Sequence, residues 1–431
     1  MSWRIAVALL LGAASIATAQ PKEEAEIALI GATIHPVSGP ARQGTVLLRG
    51  GKIRAIGKFE VAAGTKTIDL TGRHLYPGLI DADTVLGLTE IGSVKGSQDT
   101  REVGQINPNL RAERAINPDS ELFPVARTGG VLFAHVVARS GWISGTSALI
   151  YTAGKTYEDM TVRAPLLLHV RWPRMRIERR GKTSDQITKA TAAREAVLKG
   201  IAAAFREARA YASARVLDSS TRPRDPKWEA MLPVVAPSRR GRRVRVAVHA
   251  QTQAQIEAAL DWGRRERLKL VIVGGADAWR VATQLHDQDV PVILSPVQRL
   301  PRRAHESVET AYRVAARLQI AKVRFAFSTG GSGFEAANAR NLRLHAAQAV
   351  GYDLPPEAAL RALTLGAAEI LGLGDRLGSV EVGKEATLIA TDRPLLEDTA
   401  QISHAWIRGR AVSLDTRQLK LYERFRKRDR K

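Results

Sequence analysis

Short runs of apolar residues recur along the whole chain, and their spacing divides it into three parts. Before residue 76 and after residue 377 the runs alternate with polar residues and are bounded by glycine, which is typical of short β-strands. Between these limits, short apolar runs alternate with stretches whose apolar residues fall three and four positions apart, as in amphipathic helices. The pattern predicts a small sheet from both chain ends and a long α/β segment between them.

The predicted elements follow from these runs. The strands expected near the two ends cover residues 27–31, 44–49, 52–57, 385–391 and 402–412. The strands expected in the middle cover residues 130–137, 165–170, 243–249, 269–273, 290–294 and 323–328, with helices over residues 183–214, 253–262 and 355–363. Repeated strand–helix units indicate parallel strands with crossover helices.

The expected fold class is α/β, with a TIM (β/α)8 barrel over residues 76–377. Residues 22–75 and 378–431 are expected to join in one small composite β-sandwich domain, and residues 183–231 to form an outer insertion. An open, doubly wound sheet is the structural alternative. It would need a glycine-rich phosphate loop early in the segment, and none is evident in the sequence.

The first 19 residues have the composition of a secretory signal peptide. Arg4 supplies a positive start, residues 5–16 are apolar, and Ala17-Thr18-Ala19 is a small-x-small cleavage site. We therefore expect an exported protein, periplasmic or secreted, that is soluble after cleavage. A buried N-terminal helix is the alternative.

The amino-acid composition limits the kinds of ligand and partner that the chain is expected to bind. The chain has no cysteine, which excludes a thiolate metal site, and its net charge of +22 favours contact with anionic surfaces of the cell envelope. The basic clusters at residues 176–182, 239–245 and 424–431 lack the interleaved aromatic residues that stack on bases, so no nucleic-acid partner is expected. Self-association is left open, and a small-molecule ligand is expected in the barrel mouth.

Four sequence blocks resemble a known family. Residues 76–85 read YPGLIDADTV, and the other blocks are residues 341–347, 359–372 and 376–388, the last reading RLGSVEVGKEATL. In this order they resemble the amidohydrolase superfamily, and in particular its imidazolonepropionase-related branch. The resemblance implies a metal-dependent hydrolase of non-peptide C–N bonds in cyclic amide-type substrates, on a TIM barrel.

The same resemblance implies metal ligands at the strand ends. The superfamily has a His pair after strand one, often a carboxylated Lys after strand four, a His after each of strands five and six, and an Asp after strand eight. This chain matches the strand-five position with His249. The other positions hold Asp83 and Val85, then His169, then Gly274-Gly275, then Thr329-Gly330.

We therefore expect a degenerate metal site. Its residual candidates are His249, Asp83 and His169, which would hold a single divalent metal such as zinc only if all three reach the same mouth; otherwise no cofactor is expected. The simpler interpretation is that His249 is a hydrogen-bonded imidazole at a strand end and that His169 packs beneath Trp172. The remaining histidines are expected to be structural or solvated.

Candidate substrate-binding residues lie in two stretches of small residues. Residues 140–147 are interpreted as a loop whose hydroxyls and amides could bind an anion, with Ser144 and Thr146 as contacts, or as a plain tight turn. Thr329 belongs to the second stretch, residues 328–333. Two functions remain: an exported amidohydrolase, or a catalytically inactive protein that binds a ligand or takes part in assembly in the cell envelope.

Overall fold

The computed structural model describes residues 26–217, 223–236 and 244–426. The predicted signal peptide, residues 1–19, lies outside the described residues. Within them, no helix combines the length and the apolar character needed to cross a membrane.

Eighteen β-strands lie in these ranges. They are β1 Ile27–Ile34, β2 Arg42–Arg49, β3 Lys52–Gly57, β4 Lys66–Asp69, β5 His74–Pro77, β6 Leu79–Thr84, β7 Val131–Val136, β8 Ile143–Thr146, β9 Ala148–Tyr151, β10 Thr161–Arg163, β11 Leu168–Arg171, β12 Val246–Ala250, β13 Leu270–Gly274, β14 Val292–Leu294, β15 Phe325–Phe327, β16 Leu388–Thr391, β17 Ile402–Ile407 and β18 Arg410–Ala411.

Thirteen α-helices are described beside them. They are α1 Leu122–Thr128, α2 Tyr157–Met160, α3 Ser184–Leu217, α4 Pro226–Glu229, α5 Leu232–Val235, α6 Gln253–Arg265, α7 Ala282–Asp287, α8 Val314–Ile320, α9 Gly333–Ala337, α10 Leu342–Val350, α11 Pro356–Leu363, α12 Leu365–Ile370 and α13 Arg417–Arg426.

Strands from both chain ends pair in one eight-stranded sheet. Its order is β18-β17-β16-β5-β1-β2-β3, with β4 beside β1. The antiparallel pairing of β16 with β5 joins the two ends of the chain, and Leu75, Leu388 and Trp406 are buried in the core of this sheet. The predicted pairing of the two ends is therefore found as one sheet, while a two-sheet sandwich and a separate domain stay predictions.

The middle of the chain forms two further sheets. One has the order β10-β9-β7-β6, and the other the order β15-β14-β13-β12-β11-β8. The chain itself links them where β8 continues through Ser147 into β9, and a parallel bridge between Thr84 and Gly330 links them on the other side. Apart from β10, their strands are almost entirely buried on both faces, as expected where helices cover one side and side chains fill the interior.

Two expectations about these sheets need correction. The pairing β6-β7 and the run from β11 to β15 are parallel, but β8 pairs with β11 and β9 pairs with β7 in antiparallel fashion. The fold is thus of the TIM-barrel type, but the described residues do not form a closed barrel of eight parallel strands. The stretch interpreted as a loop, residues 140–147, contains β8, because its residues pair with the neighbouring strand β11.

Two helical regions lie on the outside. The long α3 belongs to the predicted insertion and buries only one side, where the ring of Phe205 meets Trp262 edge-on with centroids 5.0 Å apart. The C-terminal α13 buries no residue and leaves Leu419, Tyr422 and Phe425 exposed. Contact of the basic surface with anionic envelope components stays a prediction.

Candidate binding site at the strand ends

A cavity of about 570 Å³ opens at the carboxyl ends of the barrel-type strands. This volume suits a small organic molecule. Its floor includes Asp83, Arg139, His249 and Thr329, which follow or end strands β6, β7, β12 and β15. Residues at these strand ends face the mouth in TIM-barrel proteins, which is why the sequence predicted a site here.

An ion pair between Arg139 and Asp83 lies in the floor of this cavity. Nη2 of Arg139 is 2.9 Å from Oδ1 of Asp83, and the two side chains are only 13% and 7% exposed. A Cβ at Gly331 would lie 2.2 Å from Cζ of Arg139, so this glycine leaves room for the guanidinium. Burial is the largest single influence on the pKa of Asp83 and would raise it, but the charge of Arg139, together with His249 and His135, holds that pKa below its ordinary value.

His249 connects the ion pair to a second histidine. Nη1 of Arg139 lies 3.3 Å from Nδ1 of His249, and Nε2 of His249 lies 3.0 Å from Nδ1 of His169. Because a guanidinium can only donate, Nδ1 of His249 accepts, and its protonated Nε2 donates to His169. Burial, followed by the nearby charge of Arg139, lowers the pKa of His249 to about 3. Burial likewise lowers the pKa of His169 well below its ordinary value.

His135 forms the base of this histidine series. Its ring centroid lies 5.6 Å from that of His169. Its Nδ1 donates to the Ala82 carbonyl over 2.6 Å, which leaves Nε2 to accept from the Ser147 hydroxyl at 2.7 Å. Burial lowers the pKa of His135 to about 4. Three neutral imidazoles thus extend from the cavity floor into the core, where His135 is fully buried and hydrogen-bonded through both ring nitrogens.

Asp81 holds the end of β15 against β6. Its Oδ1 accepts the Thr329 backbone N–H at 2.9 Å, and its Oδ2 accepts the Thr329 hydroxyl. The side chain is fully buried, and burial raises its pKa to about 7. Thr329 therefore lines the cavity with its hydroxyl already used as a donor. Asp81 is a residue that links two strands of the site.

Glu335 occupies space beside Gly330. Gly330 has a φ of +102°, and a Cβ built on it would lie 2.6 Å from Cδ of Glu335. The Glu335 carboxylate also accepts the Ser332 backbone N–H at 2.7 Å, in a capping box at the start of α9. A carboxylate thus lies at this strand end, but it comes from the following helix.

A metal ion, which the family resemblance implies, needs about three convergent protein ligands. In the part of the chain that the structure describes, no group of three or more His, Asp or Glu side chains is placed to hold one. Asp83 and His249 face the Arg139 guanidinium, and Nδ1 of His169 faces His249. As arranged here, the three candidate ligands do not fit a metal ion.

Only some of the predicted site residues line the cavity. Asp83, His249 and Thr329 line the cavity, and His169 lies beneath His249, between His249 and His135. His169 was expected to pack beneath Trp172. Its ring instead lies beside the rings of His135 and His249, and the ring of Trp172 packs on Trp262.

Ser144 and Thr146 are on β8, 1% and 5% exposed. The Thr146 hydroxyl donates to the Leu110 carbonyl at 3.2 Å, and neither residue is among those that line the cavity. Their contact with a substrate stays a prediction.

Several cavity residues were missed by sequence reasoning. They are Arg139, Arg299, Arg302, Glu335 and His345. Arg139 follows the apolar run of residues 130–137, so its position after a predicted strand was a usable signal. His345, in α10, had been expected to be structural or solvated. It lines the cavity while 8% exposed, and only the tertiary arrangement places α10 there.

Comparisons with known proteins agree with this architecture. Residues 280–412 match the amidohydrolase family. Over 383 residues the chain is 26% identical to amidohydrolase tasK of Hapsidospora irregularis. The aligned region covers 82% of this chain and 38% of that protein. An N-acyl-D-aspartate deacylase of Alcaligenes xylosoxydans xylosoxydans is 47% identical over 62 residues, 14% of this chain and 12% of that one. The chain therefore spans well under half the length of these curated relatives.

Solved structures show the same fold. An amidohydrolase from Thermotoga maritima MSB8 has a TM-score of 0.79 and 23% identity, covering 90% of this chain and 99% of that one. Molinate hydrolase has a TM-score of 0.54 and 16% identity, covering 91% and 95%. Together with the family match, these likenesses place the protein in a class of TIM-barrel-type α/β proteins with a site at the strand ends. Residues 280–412 thus match the amidohydrolase family, and the fold of the chain is that of solved amidohydrolases.

Proposed function

We propose that this chain binds a small amide-bearing molecule at the barrel mouth, without metal-assisted hydrolysis at Asp83 and His249. The observation that supports this most directly is the Arg139 guanidinium, which pairs with both residues. A metal ion at that place would have to displace a buried cation and would face its charge at short range. The cavity remains large enough for a ligand.

The ligand class is supported by the relatives. One of them is named an N-acyl-D-aspartate deacylase, and its substrate therefore contains an amide bond and carboxylates. Gln251 and Ser295, whose side chains are 3.0 Å apart in the cavity lining, could contact such an amide. Membership of the imidazolonepropionase-related branch stays a prediction.

A second candidate is hydrolysis of a non-peptide C–N bond in a cyclic amide-type substrate. It is favoured by the superfamily assignment and by the Glu335 carboxylate beside Gly330, where a proton acceptor would be useful. This function would need Arg139 to move away from Asp83 and His249, since metal-bound water is the superfamily's nucleophile.

Metal content and turnover separate the two candidates. Purified wild-type protein, incubated with zinc and desalted, is analysed for bound metal and for hydrolysis of hydantoin-type and N-acyl amino acid probes. His249→Ala is the test variant, and His286→Ala, which changes an exposed histidine outside the cavity, is its matched control. We expect no stoichiometric zinc and no turnover. Stoichiometric zinc and turnover that His249→Ala abolishes and His286→Ala retains would establish the hydrolase instead.

We also infer that the protein acts outside the cytoplasm, in the periplasm or after secretion. The support is the sequence of residues 1–19, with its apolar run and small-x-small site. Cell fractionation followed by N-terminal sequencing tests this. A mature chain that begins at Gln20 is expected, and an uncleaved chain in the cytoplasm would contradict the inference.

A further inference from the structure

The loop that follows β14 supplies the cavity with positive charge. Ser295, Arg299 and Arg302 of this loop all line the cavity. Arg299 is half-buried and Arg302 is exposed, so the two guanidinium groups lie toward its outer part while Arg139 lies in the floor.

Nearby acids are already engaged by other arginines. Asp277 is 2.5 Å from Nη2 of Arg303 and 3.8 Å from Nε of Arg280. Glu306 also pairs with Arg303, and it lies 3.4 Å from Nη2 of Arg280. Two carboxylates thus face two guanidinium groups in a neutral cluster. Asp277 and Glu306 also attract Arg299 at longer range, but Arg303 and Arg280 already balance their charge, so the charges of Arg299 and Arg302 come in addition to this cluster.

The lining of the cavity is therefore cationic overall. Asp83 is balanced by Arg139 in the floor. Among the described residues that line the cavity, this leaves Arg299 and Arg302 against the single carboxylate of Glu335, which is held by the Ser332 backbone N–H. Neither Arg299 nor Arg302 has a side-chain ion pair within 4.0 Å among the described residues. A half-buried guanidinium without such a partner favours an anion.

The rest of the lining suits an organic ligand. Phe334 lines the cavity although its side chain is 79% exposed, so an apolar face is available to a ligand. Asn338 and Asn341, which follow α9, add two side-chain amides to the lining, and Nδ2 of Asn338 already donates to the Phe334 carbonyl at 2.8 Å. A small inorganic ion would leave most of a cavity of about 570 Å³ unfilled.

From these features we infer that the barrel mouth selects an organic carboxylate, whose negative group pairs with Arg299 and Arg302 while its amide part reaches the cavity floor. This inference rests on the proposed binding function and deepens it by naming the charge of the ligand. Arg299 is the main specificity residue, because it is the less exposed of the two and its charge is less screened by solvent. Arg302 contributes at the rim.

Binding of matched probes tests the inference. Isothermal titration calorimetry compares N-acetyl-D-aspartate with the neutral N-acetyl-D-asparaginamide, and inorganic phosphate serves as a competitor. We expect the acid to bind at least about tenfold more tightly than the neutral amide, since hydrogen bonds to a charged group are stronger than those between neutral groups. Higher salt should weaken only the acid. Phosphate should compete poorly.

Arg299→Gln should weaken the acid about tenfold or more and leave the neutral amide unchanged. Arg54→Gln, which removes an equal charge from an exposed position on β3, is the matched control and should change neither. Thermal unfolding of both variants checks their folding, and Arg299→Lys should restore part of the affinity if charge is the cause.

Each result has a defined meaning. Equal binding of acid and neutral amide would overturn the inference and leave the proposed binding function in place. Binding of neither probe would overturn the inference and count against the proposed function as well. Equal competition by phosphate would overturn selection of an organic carboxylate, as would an effect of Arg54→Gln as large as that of Arg299→Gln.

Discussion

Replacing Arg139 with methionine tests the central electrostatic feature of the site. The change removes the guanidinium but keeps an unbranched side chain of similar length. Asp83 then stays only 7% exposed with its cationic partner gone. Removing one partner of a buried ion pair costs about 3–5 kcal/mol, because the other charge remains desolvated. We expect the free energy of unfolding of Arg139→Met to fall by that amount at pH 7.

The stability lost in Arg139→Met should decrease as the pH is lowered. In the wild type the pKa of Asp83 is lowered, so the pair stabilises the fold above the ordinary carboxyl pKa of 3.8, and this stability is lost as pH falls through the lower folded value. In the variant, burial acts without Arg139 and raises that pKa. The deficit should therefore be largest at neutral pH and shrink as the pH approaches 4.

Urea denaturation of four proteins measures this: the wild type, Arg139→Met, Asp83→Asn and the double variant. The loss of unfolding free energy in the double variant should be smaller than the sum of the two single losses by at least about 2 kcal/mol, because the double variant leaves no unpaired charge. Arg49→Met is the control, since Arg49 pairs with Glu26 at 3.5 Å with side chains 45% and 30% exposed, and such pairs contribute at most about 1 kcal/mol. Additive effects, or a loss no larger than for Arg49→Met, would refute the reasoning.

Three further predictions concern other parts of the chain. The raised pKa of Asp81, about 7 in the folded protein, gives the wild type a stability that is full below pH 3.8 and lost as the pH rises toward 7, and Asp81→Asn should abolish this decrease. Urea midpoints of both proteins at pH 4 and pH 8 measure it, and parallel pH profiles would contradict the prediction. Tyr151→Phe should lower the free energy of unfolding by about 1.5–3 kcal/mol, since the Tyr151 hydroxyl lies 2.9 Å from both carboxylate oxygens of Glu385, whose side chain is 10% exposed; an unchanged thermal midpoint would contradict it. The exposed apolar and basic residues of α13 should bind the protein to phosphatidylglycerol vesicles but not to neutral ones, and co-sedimentation should fall after deletion of residues 417–431.

The positions of most strands and helices could be predicted from the local spacing of hydrophobic residues and from capping residues. The predicted strand over residues 52–57 is β3, Lys52–Gly57, and the helix predicted from residue 253 is α6, whose Thr252 and Gln255 form a capping box. Hydrophobic spacing and capping chemistry act over a few residues, so they can be detected in a single sequence. The resemblance to the superfamily was also visible, because each sequence block that carries it is contiguous.

The antiparallel segment β8 and β9 was missed for a local reason. Residues 140–147 contain small hydroxyl residues, and both Gly141 and Gly145 have positive φ, so the stretch has the composition of a turn. Pairing with β11 makes residues 143–146 a strand, as pairing with β7 does for β9, and both pairings depend on residues distant in the sequence.

The sequence by itself determined the fold type, and by resemblance it predicted that Val85, Gly274 and Gly330 stand where the superfamily has ligand residues. Only the tertiary structure decided what lies there instead: the Arg139 guanidinium between Asp83 and His249, and the Glu335 carboxylate beside Gly330. The physical reason is distance along the chain. Asp83, Arg139 and His249 lie at the ends of three different strands, and their side chains interact only after the strand ends converge at one mouth.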